Sequence, residues 1–137
     1  MEIINVCYDK NFVSENLTNI DIRNIDSVPN FSAPRIIISF LNKLKKEQGI
    51  EAISLLCNKL KKNGTLTFTL LDFDQLISFY HSQKLNLDDI IKHMRGTECF
   101  ISRSEIIKMF HKNSEFSIDS ITYDDIYSVY TLSRIDL

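Results

Sequence analysis

Residues 4–22 read INVCYDKNFVSENLTNIDI, and they place acidic and nucleophilic side chains directly after two short apolar runs. Cys7, Tyr8 and Asp9 follow the first run, whereas Asp21 closes the second. In nucleotide-binding α/β folds, a loop after one strand approaches the ligand, and an acid after the next strand binds the ribose hydroxyls. The layout therefore predicts a ligand loop after the first strand and a ribose-binding role for Asp21.

Two more acids, Asp72 and Asp74, follow a run of β-forming residues, TLTFTLL. Ligands of α/β sheets bind at the carboxyl ends of the strands, so Asp72 is a further candidate for cofactor contact. Aspartates at such positions also cap helices, and Asp74 is the predicted cap of the next helix. A structural role is open for Asp21 as well, because an aspartate at a strand end often caps the following turn.

Three aromatic residues near the first loops, Tyr8, Phe12 and Phe31, have the planar faces that an adenine pocket uses, although they equally suit the rim of a core. Cys7 is a candidate nucleophile, but no histidine has a sequence position that predicts pairing with it. The three cysteines are widely spaced without a CxxC pair, and the three histidines are scattered. This pattern predicts reduced thiols and argues against a metal site.

The composition is that of one soluble globular domain over residues 1–137, with 44% hydrophobic and 25% charged residues. Its net charge of −2 and its pI near 5.9 argue against nucleic acid or anionic lipid as a partner. The sequence shows neither a signal peptide nor an apolar run long enough to span a membrane. We therefore expect a cytoplasmic protein.

Apolar periodicity predicts the elements that position these side chains. Strands are expected at 2–6, 17–22 and 35–41. The last of these reads RIIISFL, a nearly continuous apolar run that suits a strand buried on both faces. Helical spacing follows over 48–62, with Gly64 as the residue that ends the helix, and a strand over 65–71 comes next.

The C-terminal half is predicted to hold short helices and a hairpin. Helices are expected after Asp74, over 87–95, and from a cap at Ser102 or Ser104 to Phe110. Two alternating runs, 116–123 and 126–134, flank a short turn at 124–125 and predict an antiparallel hairpin. Strands that alternate with helices indicate an α/β domain whose sheet is mainly parallel.

Three segments, in this order, resemble class I S-adenosylmethionine-dependent methyltransferases, whose parallel sheet closes with an antiparallel C-terminal hairpin. LKKNGTLTFTLLDFDQL resembles the family's L-K-P-G-G-x-L turn with the strand and acid after it. FISRSEIIKMFHKNSEFSIDSI resembles the late segment, with Glu115 and Phe116 where Gly-Phe is usual. INVCYDKNFVSENLTNIDI resembles an opening of the form L-N-L-G-C-G-K-x-F…N-I-D-I, in which Cys7, Tyr8 and Asp9 occupy the G-C-G places.

The resemblance implies a Rossmann-like methyltransferase fold, with S-adenosylmethionine as the cofactor if the protein is active and no cofactor otherwise. It assigns cofactor contacts to Cys7, Tyr8, Asp9, Asp21 and Asp72. Only thirteen residues, 22–34, separate Asp21 from the next predicted strand, where the family has a further helix and a third strand. We therefore expect six strands in the order 2-1-4-5-7-6 by the family's numbering, with the third absent and only the seventh antiparallel.

The first loop departs from the family pattern because it lacks glycine, which allows close backbone approach and left-handed φ without strain. Asp9 would face the carboxylate of the cofactor, and two carboxylates about 4 Å apart repel by roughly 4 kcal/mol at a dielectric constant of about 20. The sequence thus favours a degenerate, non-catalytic protein that acts as a binding or assembly module. The alternatives are an active small methyltransferase of unknown substrate and a subunit that completes or regulates another methyltransferase.

The shortened N-terminal side leaves the predicted strand over 17–22 at the edge of the sheet. Its apolar residues are Leu17, Ile20 and Ile22, and it contains neither proline nor lysine. Edge strands present unpaired backbone groups, and residues of those two types normally discourage pairing with another chain. We expect a protein partner or a second copy of the chain, as in a homodimer, to occupy this edge.

Overall fold

The computed structural model describes residues 3–9, 11–111 and 113–135. The strands are β1 (Ile4–Cys7), β2 (Thr18–Asp21), β3 (Ala33–Ile38), β4 (Leu60–Leu71), β5 (Phe116–Asp124) and β6 (Tyr127–Arg134). The α-helices are α1 (Lys46–Lys59), α2 (Phe73–His81), α3 (Leu87–Arg95) and α4 (Arg103–Phe110). Two short 3-10 helices, Ile22–Ser27 and Leu41–Lys43, lie in the connections.

The strands form one sheet in the order β2-β1-β3-β4-β6-β5. β2, β1, β3 and β4 pair in parallel, whereas β6 is antiparallel to both of its neighbours, β4 and β5. The predicted strand order and the predicted C-terminal hairpin are therefore confirmed. β2 is the edge strand on the N-terminal side, and no strand of the described residues pairs outside it.

One face of the sheet carries the core and is covered by α1 and α4. Alternate residues of the central strands point into this core, and Ile36, Phe68 and Tyr130 are fully buried there. The two helices contribute Ala52, Ile53, Leu56, Ile106 and Phe110. The apolar positions of α1 recur at helical spacing, so one side of the helix faces the sheet along its whole length.

The opposite face of the sheet is largely open. β4 places Thr65, Thr67 and Thr69 on it, each only partly buried, between fully buried neighbours. The prediction that the third strand is buried on both faces is wrong, because Ile37 is only partly buried and Arg35 is exposed. The reason is that the described residues of 8–17 and 22–32, which connect the first three strands, form no α-helix to cover this face.

The junction between α1 and β4 differs from the predicted one. α1 ends at Lys59 and β4 begins directly with Leu60, so the prediction that Gly64 ends the helix is wrong. Gly64 lies inside β4, where a Cβ atom would stand 2.7 Å from the carbonyl oxygen of Ala33. The register between β3 and β4 shifts between Ala33 and Arg35, so this glycine permits close backbone approach at an irregular pairing.

Side-chain caps begin the C-terminal helices. Asp72, and not the predicted Asp74, is the N-cap of α2, and its carboxylate accepts a hydrogen bond from the Gln75 amide at 3.0 Å. Ser102 caps α4 and forms a capping box with Glu105, which confirms one of the two predicted serine caps. Because Asp72 directly follows β4, the chain passes from strand to helix without a loop.

The remaining element boundaries shift slightly, because backbone pairing and not the apolar pattern decides where a strand ends. β2 covers Thr18–Asp21 where 17–22 was predicted, and the hairpin turn lies at 125–126 where 124–125 was predicted. Glu2, the predicted start of the first strand, lies outside the described residues. None of the helices in the described residues combines the length and the apolarity that crossing a membrane requires.

Candidate functional site

The loop after β1 is a tight turn. The Asn11 amide donates to the Tyr8 carbonyl at 2.9 Å, and the Tyr8 amide donates to the Asn11 carbonyl at 3.2 Å. Asp9 and Phe12 have φ values of 52° and 64°, in the left-handed region that glycine adopts without strain. The loop therefore adopts glycine-type backbone conformations at residues that carry side chains.

Asp21, at the end of β2, is joined to this loop through Arg23. One oxygen of Asp21, Oδ1, accepts hydrogen bonds from the backbone amide and from Nε of Arg23, both at 2.9 Å. The other, Oδ2, accepts from Arg23 Nη2 at 2.8 Å and from the Asp9 backbone amide at 2.6 Å. Nη2 of Arg23 also pairs with the carboxylate of Asp9. We call Asp9, Asp21 and Arg23 the acid–arginine cluster.

Four donors on Asp21 equal the number of acceptor positions that a carboxylate offers. Hydrogen bonds from the side chain and the backbone of Arg23 hold the pKa of Asp21 well below its usual range, so the group is ionised. In this arrangement no acceptor position is left for ribose hydroxyls. Displacing the half-exposed Arg23 side chain would free two positions at small cost, because exposed ion pairs contribute little, but the two backbone donors would remain.

Arg23 was not among the predicted site residues. Its guanidinium carbon also lies 4.7 Å from the centre of the Tyr8 ring, a cation–π contact that ties the loop to the end of β2. The available sequence signal was the spacing D-I-R, because an aspartate that caps a turn accepts a hydrogen bond from the backbone two residues on. Arg23 weakens the predicted repulsion between Asp9 and a cofactor carboxylate, since Asp9 already has a cationic partner. The obstacle to a cofactor at this point is therefore the Arg23 side chain itself, and not the charge of Asp9.

A pair of asparagines holds the same loop against the sheet, and sequence reasoning missed both. Asn5 Nδ2 donates to the Phe12 carbonyl at 2.7 Å and to Asn19 Oδ1 at 2.8 Å. Asn19 in turn bonds the backbone of Ser14 and Leu17. Asn5 is buried, because the loop covers this end of the otherwise open face. The loop conformation is therefore determined by polar side chains of β1 and β2.

A cavity of about 530 Å³ lies where the carboxyl ends of β1, β2 and β3 meet α1. Tyr8, Phe12 and Phe40 form an aromatic wall, with the ring centres of Phe12 and Phe40 5.2 Å apart. Lys43 and Glu51 are its charged residues, and the rest of the lining is mainly aliphatic. Small-molecule sites typically have volumes of about 300–1,000 Å³ and such a lining, so the cavity is the candidate binding site.

A second cavity, of about 250 Å³, shares Phe12 and Lys43 with the first. Ser39, Thr69 and Tyr127 give it a more polar lining. The ammonium group of Lys43 donates to the Gly96 carbonyl at 2.7 Å, which holds this side chain between the two cavities. An apolar and a polar compartment therefore adjoin at the carboxyl edge of the sheet.

Two of the three predicted aromatic residues line the first cavity, whereas the predicted nucleophile lines neither cavity. Tyr8 and Phe12 line the first cavity, but Phe31 stacks on Arg134, whose guanidinium carbon lies 4.6 Å from the Phe31 ring centre. Cys7 is buried in β1, where burial and the nearby charge of Asp21 raise the pKa of its thiol. The thiolate is the nucleophilic form of cysteine, so this environment disfavours the predicted alternative role.

Asp72 lies in a separate network beside β6. Its Oδ2 accepts hydrogen bonds from Arg103 Nη2 at 2.7 Å, from Arg103 Nε at 3.2 Å and from the Ser128 hydroxyl. Burial raises the pKa of Asp72, but the hydrogen bonds from Ser128 and Arg103 outweigh it, and the net shift is downward. Asp72 lines neither cavity, so its observed contacts are those of a helix cap and an ion-pair partner.

The three cysteines are not linked to one another in the described structure. All three are free and buried. Burial raises the pKa of Cys57 to about 12 and that of Cys99 to about 11, so both are protonated packing residues. Across residues 3–9, 11–111 and 113–135, no three His, Cys, Asp or Glu side chains are grouped to hold a metal ion.

Comparison with known proteins identifies the fold. No protein-family model and no curated protein sequence matches the chain. Among solved structures, a SAM-dependent methyltransferase from Archaeoglobus fulgidus superposes with a TM-score of 0.57 and 14% identity, over 96% of this chain and 75% of the other. The plantazolicin methyltransferase BpumL in complex with SAH gives a TM-score of 0.60 and 12% identity, over 96% of this chain and 66% of the other.

An O-methyltransferase family protein from Burkholderia thailandensis also superposes, with a TM-score of 0.56 and 11% identity over 85% of this chain. The chain spans only 35% of the length of that protein. At these identities the similarity concerns the fold alone. The fold is accordingly a Rossmann-like methyltransferase fold, with a mainly parallel sheet and an antiparallel C-terminal hairpin.

Proposed function

We propose that this chain is a degenerate, non-catalytic methyltransferase-fold protein that acts as a binding or assembly module. The observation that carries the proposal is the set of four donors on Asp21, which leaves no acceptor for ribose hydroxyls. The left-handed φ value of Asp9 supports it, because Asp9 occupies the second glycine place of the family's G-C-G motif. The connections around β2, which form no α-helix in their described residues, support the shortened form.

The edge of the sheet at β2 is the proposed binding surface. The Thr18 amide donates to the Ile3 carbonyl, so by the alternation along a strand the amides of Asn19 and Asp21 point away from β1. Ile20 and Ile22 pack against the core. The edge therefore offers a partner backbone hydrogen-bonding groups and little apolar side-chain surface. A strand of a protein partner or of a second copy would add to it by backbone hydrogen bonds.

Isothermal titration calorimetry with S-adenosylmethionine and S-adenosylhomocysteine tests the cofactor part of this proposal. We expect no saturable binding to the wild-type protein below about 100 μM. The double variant Asp9→Asn, Arg23→Gln removes the obstructing arginine together with the acid that would otherwise lose its partner, and it should gain measurable affinity. Adding Asp21→Asn to that variant should abolish the gain, because the amide lacks the acceptor positions of the carboxylate.

Two outcomes would contradict the proposal. Saturable binding to the wild-type protein at lower concentration would show that Arg23 moves aside and that the site is functional. If Asp21→Ala then left this binding unchanged, the ribose role of Asp21 would be wrong as well. The single variant Lys92→Gln, on the exposed surface of α3 and outside both cavities, serves as the control for unspecific heat effects.

An active small S-adenosylmethionine-dependent methyltransferase is the second candidate, and the pair of adjoining cavities favours it. The larger cavity has the volume of a ligand site, and the smaller one shares Phe12 and Lys43 with it. Ligands of α/β sheets bind at this carboxyl edge. Methyl transfer needs mainly binding and orientation from the protein, so the absence of an evident general base does not argue against this candidate.

A further inference from the structure

α2 and α3 share a nine-residue pattern that the proposed function does not explain. α2 reads FDQLISFYH and α3 reads LDDIIKHMR. Each has apolar residues at its first, fifth and eighth positions, aspartate at the second and a basic residue at the ninth. Positions one, five and eight of a helix lie on one stripe, because their spacing of four and three residues is close to whole turns.

These stripes are exposed. In α3 the stripe is Leu87, Ile91 and Met94, which are 58%, 37% and 41% exposed, and none of the nine residues of this helix is buried. In α2 the stripe ends in Ile77 and Tyr80, which are 52% and 45% exposed. An apolar surface of this kind on a globular protein usually marks an interaction site.

The two stripes form one surface on a fixed support. Tyr80 at the end of α2 and Leu87 at the start of α3 line the same groove, so the stripes meet at the turn between the helices. The other sides of the helices are anchored, because Leu76 and Ile90 pack in a small cluster with Leu71 at the end of β4. We call Ile77, Tyr80, Leu87, Ile91 and Met94 the hairpin patch.

The charges beside the α3 stripe are arranged in a self-complementary way. Asp88 at the start and Arg95 at the end are seven residues apart, about two turns, so they lie on the same flank of the stripe. When two copies of one helix pack antiparallel about a twofold axis, the same flank of each helix meets. Asp88 of one copy then lies opposite Arg95 of the other, twice, with Ile91 near the axis.

We propose that the hairpin patch is the contact surface for a second copy of this chain, with α3 packed antiparallel against α3 of the partner. A parallel arrangement would bring the like charges of equivalent helix ends together, and it is therefore disfavoured. Twofold pairing through one self-complementary patch is the commonest form of homo-oligomer.

The size of the patch predicts a weak dimer. Each helix has nine residues and is about 13 Å long at about 1.5 Å per residue. Two such helices per copy bring the interface to about 1,000 Å² in total, which is the lower limit for specific association. We expect a dissociation constant in the micromolar range, of the order of 10 μM.

Sedimentation velocity of the complete chain from about 1 to about 200 μM tests the proposal, with a monomer–dimer equilibrium as the expected result. Ile91→Lys should weaken the dimer at least about tenfold. Ile107→Lys is the matched control, because Ile107 on α4 is also exposed, at 39%, but lies outside the patch. It should sediment like the wild type.

A charge exchange makes the test specific for antiparallel packing. Asp88→Arg and Arg95→Asp should each weaken the dimer, and the double variant should recover it, which a folding defect would not do. A wild-type protein that stays monomeric at the highest concentration would overturn the proposal. A dimer that these variants leave unchanged would also overturn it. Slowed hydrogen exchange of the Asn19 amide in that dimer would then assign the second copy to the β2 edge.

Discussion

Aspartate serves two different structural purposes at the carboxyl edge of this sheet. Asp21 is tied by Arg23 at the surface, where the partner is half exposed and can be exchanged. Asp72 is buried and holds Arg103, Ser128 and the first turn of α2 in one network. The first arrangement contributes little to stability because Arg23 is half exposed, whereas the second stabilises the fold because Asp72 is buried.

Asp72→Ala should lower the free energy of unfolding by about 3 kcal/mol, because it removes a helix cap and leaves a partly buried arginine without its partner. Asp74→Ala should change it by less than about 0.5 kcal/mol. Asp74 is 79% exposed, and its carboxylate lies 3.9 Å from Arg103. Urea unfolding of the two variants measures the difference. Equal effects would contradict the assignment of the cap to Asp72.

The acid dependence of stability should separate the same two variants. The pKa of Asp72 is lowered in the folded protein below its ordinary value of 3.8. Its contribution to stability is therefore fully present above that value and is lost as the pH falls through the folded pKa. Asp72→Ala should lose less stability than Asp74→Ala between about pH 4 and pH 2. A parallel decline of both would contradict the network.

At the scale of elements, the passage from α1 into β4 decides the geometry of the sheet centre. The helix ends at Lys59, and Leu60 already pairs with Ala33 of β3. The register then shifts before the regular ladder begins at Arg35 and Thr65. An irregularity at this point is possible because Gly64 lets the backbone of β3 approach more closely than a side chain would allow.

Gly64→Ala should lower the free energy of unfolding by about 1–3 kcal/mol, because the new Cβ meets the rigid backbone oxygens of Ala33 and Lys61. Gly96→Ala is the matched control. At Gly96 a Cβ would lie 3.5 Å from its nearest neighbour, Lys43 Nζ, which is an ordinary contact. The control should stay within about 0.5 kcal/mol of the wild type, and urea unfolding measures both. A tolerated Gly64→Ala would refute the close approach.

In the described residues, α1 and α4 cover one face of the sheet, and α2 and α3 pack at the end of β4. The first two connections of the sheet contain no α-helix in their described residues, so β3, β4 and β6 are open on the other side. That face carries mostly hydroxyl side chains at its centre, with Thr67 and Thr131 opposite each other at 3.4 Å between their oxygens. Such a surface suits solvent, and it distinguishes this chain from a fully covered α/β sheet.

Adjacent positions of β4 should therefore differ in mutational cost. Phe68→Ala should lower the free energy of unfolding by about 3–5 kcal/mol, since Phe68 is fully buried and stacks on Tyr130 at 5.1 Å. Thr67→Ala should cost less than about 1 kcal/mol, because its side chain is only partly buried. Denaturant unfolding checks the pair, and similar losses at both positions would mean that the open face is covered in solution.

The sequence by itself determined the order and type of the main elements, because these depend on short-range and periodic signals. The alternation in TLTFTLL, the paired runs of the hairpin and the Ser102–Glu105 capping box are local features, and the structure has all of them. Alternate residues of one strand share a face whatever surrounds them. The strand order followed from the ordered resemblance of three segments, and it is also present.

Only the tertiary structure decided how these elements are covered and which donors occupy which acceptors. RIIISFL looks the same whether one face or both are buried, because the covering helices belong to other parts of the chain. Asp21 looks like a ribose-binding acid until Arg23 and the Asp9 amide are placed on its oxygens. Which donors occupy these oxygens depends on distances between separate segments of the chain. The spacing of residues along the sequence does not reveal those distances.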